Sequence, residues 1–144
     1  METNVASKRI RCSRKLLVVG KCIADDHPHV LEKFKDYTMV TVCPEAIHIN
    51  MIGLKLASAI ARCRFEEVAV LTTDGSMHCI QLHYIVEELE KVMGGFRRRH
   101  FVYENGEVVE IPPRVVKISR YLSRIARLVE RLQLNTFSSS SGEV

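Results

Sequence analysis

Leu16-Leu17-Val18-Val19-Gly20 is an unbroken apolar run closed by glycine, and its reading decides the fold. An apolar run of that length without polar alternation reads as a strand buried on both faces, the kind found inside a parallel sheet. The segments beyond it keep alternating. Residues 28–36 predict a short helix with Val30, Leu31 and Phe34 on one side. Pro28 suits its first position, with Asp26 or His27 as cap. Tyr37 to Val42 is rich in β-branched residues and predicts the second strand, which Cys43-Pro44 stops. Residues 45–62 predict a helix that is apolar nearly all round, with only Lys55 and Arg62 charged in its later turns. Such a helix must be covered on several sides. Beyond the sheet, the expected cover is a second copy of the chain, giving a homodimer through helix 45–62.

Glu67 to Thr72 predicts the third strand. Thr73-Asp74-Gly75-Ser76 is a turn, with Ser76 as N-cap of a helix running to about Met93. Leu82, Ile85, Val86, Leu89 and Met93 form its inner stripe, and Gly94-Gly95 closes it. A hairpin follows: His100 to Tyr103 and Glu107 to Ile111 flank Asn105-Gly106, the strongest two-residue turn signal. The last helix is expected from about Arg114 to Leu132, with Ile118, Tyr121, Leu122, Ile125, Leu128, Val129 and Leu132 as its apolar face. The order β-α-β-α-β-α-β-β-α predicts a three-layer α-β-α fold. Its sheet is mainly parallel and doubly wound, with a C-terminal β-hairpin and a final amphipathic helix. The expected divisions are a basic flexible arm at 1–14, a single α/β domain at 15–133 and a disordered tail at 134–144.

Composition narrows the function classes. The 144 residues are 47% hydrophobic and 26% charged, which suits a globular domain and not a disordered chain. The longest stretch without Asp, Glu, Lys or Arg, Gly75 to Val86, falls short of the roughly 20 residues a membrane span requires. The run at 16–19 is too short for the core of a signal peptide. A cytoplasmic chain is therefore expected. There the five cysteines, at 12, 22, 43, 63 and 79, stand as free thiols or metal ligands. The net charge of +4 resides in residues 1–15, where Lys8, Arg9, Arg11, Arg14 and Lys15 oppose Glu2. Further basic clusters at Arg97-Arg98-Arg99-His100 and along the last helix read as solvated faces. Neither is interleaved with the aromatics of a single-strand binder, which argues against a nucleic-acid partner.

Chemistry is expected where the strands end. In open α/β sheets, ligands bind beyond the carboxyl ends of the strands, at the point where the topology switches direction. Cys22 follows the first strand, Cys43 the second, and Cys79 the third. Cys63 precedes a strand and Cys12 precedes the fold, so these two fall elsewhere. Soft thiolates with imidazole suit zinc or an iron–sulfur cluster. The expected metal set is Cys22, Cys43 and Cys79, with His78 or His83 as fourth ligand. A second reading makes Cys79 a nucleophile. It is expected near a helix start, where backbone N–H groups favour a thiolate, with His78 or Asp74 as its partner. A third reading is a structural or protein-binding module.

Weaker candidates surround this set. Thr73, Gly75 and Ser76 before a helix offer hydroxyl and N–H groups to an anion, as a cofactor-binding turn would. Neither G-x-x-x-x-G-K-S/T nor G-x-G-x-x-G is present. Asp25-Asp26-His27-Pro28-His29 pairs two carboxylates with alternate imidazoles, a pattern that can chelate and that also suits a polar loop. In layout, single cysteines after parallel strands resemble the cluster-carrying small subunits of hydrogenases and quinone reductases. Those carry a paired-cysteine motif after the first strand, and Cys22 here has no such partner.

Overall fold

The computed structural model describes residues 2–4 and 10–140. The chain forms β1 (Glu2–Asn4), β2 (Lys15–Gly20), α1 (Lys21–Asp26), a 3-10 helix (Pro28–Phe34), β3 (Thr38–Val42), α2 (Ile49–Cys63), β4 (Glu67–Thr73), α3 (Ile80–Met93), β5 (Arg97–Glu104), β6 (Glu107–Ile111), α4 (Pro113–Ile118) and α5 (Leu122–Ser140). The strand order is β1-β3-β2-β4-β5-β6. Every neighbouring pair is parallel except β5 with β6. This is the expected mainly parallel, doubly wound sheet closed by a hairpin.

Alternation along β2 assigns the two faces. Leu16 and Val18 join Val40, Val42, Val68 and Val70 under Ile52, Leu56 and Ile60 of α2 and Leu82 and Val86 of α3. Leu17 and Val19 join Ala69, Leu71 and Phe101 under Ile23 and Ala24 of α1 and Val30, Leu31 and Phe34 of the 3-10 helix. A strand with period two cannot hide five successive apolar residues unless both faces are covered. The all-apolar run at 16–20 therefore forced three layers.

Local boundaries shift where capping and turn chemistry outweigh hydrophobicity. The helix expected at 45–62 begins only at Ile49, because Ala46 and Ile47 both donate back to the Cys43 carbonyl in a turn. His48 then caps the helix, its Nδ1 accepting from the Asn50 N–H at 3.2 Å. This helix buries one side, and Met51 and Leu54 are the large apolar side chains it leaves exposed. Asn105 (φ 48°) and Gly106 (φ 83°) make the left-handed pair that a tight hairpin needs. The final helix divides at residues 119–121 into α4 and α5. The latter runs on through Ser140, correcting the disordered tail expected from 134, whose last residues 141–144 lie outside the described set.

Two expectations at the amino end are corrected. The arm is tied down: β1 pairs with β3, Thr38 Oγ1 donates to the Arg11 carbonyl at 2.9 Å, and Arg14 pairs with Glu66 at 2.8 Å. Residues 1 and 5–9 of that arm lie outside the described residues. Cys12 and Cys63 are joined in a disulfide with Cα atoms 5.0 Å apart, so only Cys22, Cys43 and Cys79 are free thiols. The tethered arm brings Cys12 to the last residue of α2, within the span a disulfide bridges.

The chain packs as two compact units, Met1–Pro113 and Arg114–Val144, where the sequence reading drew one domain over 15–133. The first holds the whole sheet. The second holds α5, on which Leu122, Leu128, Val129, Leu132 and Leu134 are exposed. Among the described residues no helix is long and apolar enough to cross a membrane.

Candidate functional site

The strand order places β2 between β3 and β4. The crossover from β2 leads to β3 on one side, and β4 lies on the other, so the topology switches between β2 and β4. Gly20 ends β2 at that switch, and α1 starts at the next residue. A Cβ on Gly20 would stand 3.5 Å from Cys79 Sγ and 3.9 Å from Thr72 Cα. The missing side chain therefore leaves the Cys79 sulfur directly against the end of β2.

The three free thiols gather around this point at graded depth. Cys22 is exposed in the first turn of α1, Cys43 is half-buried just past β3, and Cys79 is buried at the N-cap of α3. Burial pushes the Cys79 thiol above its ordinary range. The Ser76 hydroxyl opposes that rise, while Cys22, Cys43 and Glu45 are near enough to add to it. Cys22 and Cys43 also act through space on Lys21, whose ammonium binds Asp25 at 2.6 Å. The sulfurs thus share one neighbourhood. Among the described residues, however, no three His, Cys, Asp or Glu side chains stand together as a metal-holding group.

Of the expected partners of Cys79, His78 is engaged elsewhere. His78 Nδ1 faces Glu45 Oε1 at 3.0 Å. Asp74 is exposed, and its backbone N–H donates to the Tyr103 carbonyl. Ser76 caps the turn before α3, its Oγ accepting from the Cys79 N–H at 3.2 Å. Cys79 therefore occupies the N-cap and not a position inside the helix, and desolvation outweighs the lowering influence of the Ser76 hydroxyl. This corrects the low-pKa thiolate expected there. Thr73 and Gly75 are exposed, and Gly75 adopts φ 79° to make the turn. In the 25–29 segment, Asp25 is held by Lys21 and the His27 ring packs on Tyr103 at 4.7 Å, as in a polar loop.

His83 is not directed at the sulfurs. It belongs to a buried polar chain behind them. His83 Nε2 meets Thr72 Oγ1 at 2.8 Å, and His83 Nδ1 meets His100 Nδ1 at 3.0 Å. His100 Nε2 meets Glu87 Oε1 at 2.7 Å, and Arg98 Nε donates to the same oxygen at 2.6 Å. Both ring nitrogens of His83 are thus occupied, which corrects its assignment as fourth metal ligand. Burial lowers His100 despite the Glu87 carboxylate. Burial, then the neighbouring His100, pushes His83 down to about 3. Both rings are therefore neutral near pH 7, and the donors follow by elimination. The Glu87 carboxylate only accepts, so His100 donates from Nε2 and accepts at Nδ1. His83 then donates from Nδ1 and accepts the Thr72 hydroxyl proton at Nε2.

Sequence reading missed Thr72, Glu87, Arg98 and His100. One signal was present. His83, Glu87 and Glu90 recur at helical spacing beside the inner stripe of α3, and Arg98 and His100 alternate on one face of β5. Two polar stripes with the periods of a helix and a strand are what a buried network between those elements requires.

The arginines expected as a solvated cluster are consumed by carboxylates. Arg97 and Arg99 bind the buried Glu67, which also accepts from the Tyr37 hydroxyl. Arg98 binds Glu87 and Glu90, and Arg99 binds Glu110.

A parallel sheet wound in both directions, with its free thiols at the switch point, now has a family match. The sequence model of the Rossmann-like domain family covers residues 10–135. The chain belongs to that family. Searches of curated proteins and of solved structures found no match.

Proposed function

We propose that this Rossmann-like chain is a binding protein whose ligand is a soft metal ion, zinc or an iron–sulfur cluster, taken up at the β2/β4 switch point by Cys22, Cys43 and Cys79. The observation that carries the reading is the convergence of three free thiols from three adjacent strand ends beside the bare Gly20. Thiolate sulfur is the donor such metals prefer. As they stand, the three do not form a ready metal-holding group. Uptake therefore requires the exposed Cys22 and half-buried Cys43 side chains to turn toward Cys79, whose position is fixed by packing. The raised pKa of Cys79 favours this reading over a nucleophilic thiol. A buried thiol that holds its proton is a poor nucleophile, whereas metal coordination removes that proton.

The test is elemental analysis and electronic spectroscopy on protein purified without oxygen, before and after incubation with Zn(II) or with iron and sulfide. Stoichiometric metal that falls in Cys22→Ser, Cys43→Ser and Cys79→Ser supports the reading. Metal content that is negligible, or that none of the three substitutions alters, refutes it.

A further inference from the structure

The fourth donor of the thiol site deepens the reading above and rests on it. Zinc completes a closed site with four donors, such as three thiolates with one imidazole. Iron–sulfur clusters in their usual forms take four thiolates. With Cys12 and Cys63 joined, only Cys22, Cys43 and Cys79 remain, one sulfur short of a cluster set. A histidine beside them therefore decides between the two ligands.

His83 is spent in the buried chain, and His48 uses its Nδ1 to cap α2. His78 is placed differently. It directly precedes Cys79, in the turn that the Ile80 N–H closes on the Ser76 carbonyl at 3.1 Å. Its Nδ1 stands 3.0 Å from Glu45 Oε1. Glu45 follows Cys43 by two residues, in the turn whose Ala46 and Ile47 N–H groups both donate to the Cys43 carbonyl. One side-chain contact thus ties the loop that carries Cys43 to the loop that carries Cys79. Glu45 is also near enough to the Cys79 thiol to raise its pKa, which sets the pair beside the sulfurs.

A zinc-ligating imidazole typically turns its other N–H toward a carboxylate, which fixes the ring and its tautomer. A carboxylate beside Nδ1 holds the ring proton there and leaves the Nε2 lone pair free for a metal. Among the described residues, His78 Nε2 has no partner. The His78 and Glu45 side chains are 44% and 66% exposed, so both can swing toward the thiols without unpacking the core.

We propose that His78 supplies the fourth ligand through Nε2, that Glu45 is the residue that positions it, and that the site is built for zinc and not for an iron–sulfur cluster.

The experiment loads Zn(II) onto the full-length chain purified without oxygen and reads the metal's neighbours by X-ray absorption. The expected shell is three sulfurs at about 2.3 Å and one imidazole nitrogen at about 2.0 Å. Competition with a chelator reads the affinity. Glu45→Gln should keep the shell and weaken Zn(II) binding about 10- to 100-fold, the usual cost of losing a partner behind a ligand. His78→Ala should lose the imidazole signal and weaken binding further. His78→Cys should restore binding relative to His78→Ala, with four sulfurs around the metal. A zinc shell without imidazole, or a Zn(II) affinity that either the Glu45 or the His78→Ala substitution leaves unchanged, overturns the inference while the thiol reading stands. So does an iron–sulfur cluster that assembles on the wild-type chain and survives His78→Ala. A chain that takes up no Zn(II), or takes it up equally well with all three cysteines changed to serine, sinks the thiol reading and this inference together.

Discussion

Acid should weaken this fold at a milder pH than its carboxylates can explain, and His83 is the reason. The ring is buried, both nitrogens are engaged, and its folded pKa is pushed down to about 3. In the unfolded chain a histidine titrates near about 6.5. The folded value is the lower one, so the unfolded state binds the extra proton. The stabilisation is fully present above the unfolded pKa and is lost as pH falls from there toward the folded pKa. Between roughly pH 7 and roughly pH 5 the linkage relation gives a loss of about 2 kcal/mol from His83 alone. His100, lowered in the same direction, adds to it. The depressed carboxylates Asp36, Glu67 and Glu110 act in a lower window, since their unfolded values lie near about 4. Urea unfolding at half-unit pH intervals isolates the histidine window. His83→Gln keeps a polar side chain beside Thr72 and His100 and removes the titration. It should be less stable than wild type near neutrality and should lose about 2 kcal/mol less between those two pH values. A wild-type stability that is flat across the window, or a His83 ring that titrates near its ordinary value by NMR, would refute the reasoning.

Three further outcomes are expected. Denatured but unreduced protein should show three titratable thiols, and Cys12→Ser with Cys63→Ser should cost about 4 kcal/mol, the entropy of releasing a loop with a sequence separation of 51 residues. Mass-spectrometric mapping of alkylation near neutral pH should find Cys22 modified first and Cys79 last, following exposure and the raised Cys79 pKa. Gly20→Ala places a methyl at ordinary contact distance from Cys79 Sγ, so its stability should stay within about 1 kcal/mol of wild type while alkylation of Cys79 slows further.

What the sequence made legible follows from which forces act locally. Leu16 to Val19 announced a strand covered on both sides because the pattern has no exposed phase, and Asn105-Gly106 announced the hairpin because few other pairs adopt its backbone. The α1 helix was invisible: Lys21 to Asp26 carries only Ile23 and Ala24 as buried residues, too few for a periodic signal. The gathering of Cys22, Cys43 and Cys79 was readable in outline, since parallel strands end on one edge. Their depth was not, because whether Cys79 is dry depends on Gly20 and α3 meeting from opposite sides of the chain. The disulfide was hidden for the same reason. Nothing near Cys12 reveals that the arm doubles back past the end of α2. His83, Glu87, Arg98 and His100 could be recognised as a set only once α3 was laid on β5, because each looks unremarkable within its own element.

The outer strand β6 shows how this sheet stays finite. A free strand margin offers unpaired N–H and C=O groups to any other extended chain. Here β6 spans only Glu107–Ile111, and the exposed Glu107 and Glu110 bring negative charge to its rim, with Glu110 clamped by Arg99. A stray strand approaching from that direction must strip water from carboxylates before it can add a single rung. Exchanging Glu107 for valine would remove part of that barrier and invite fibril growth or swapped dimers without disturbing any buried contact.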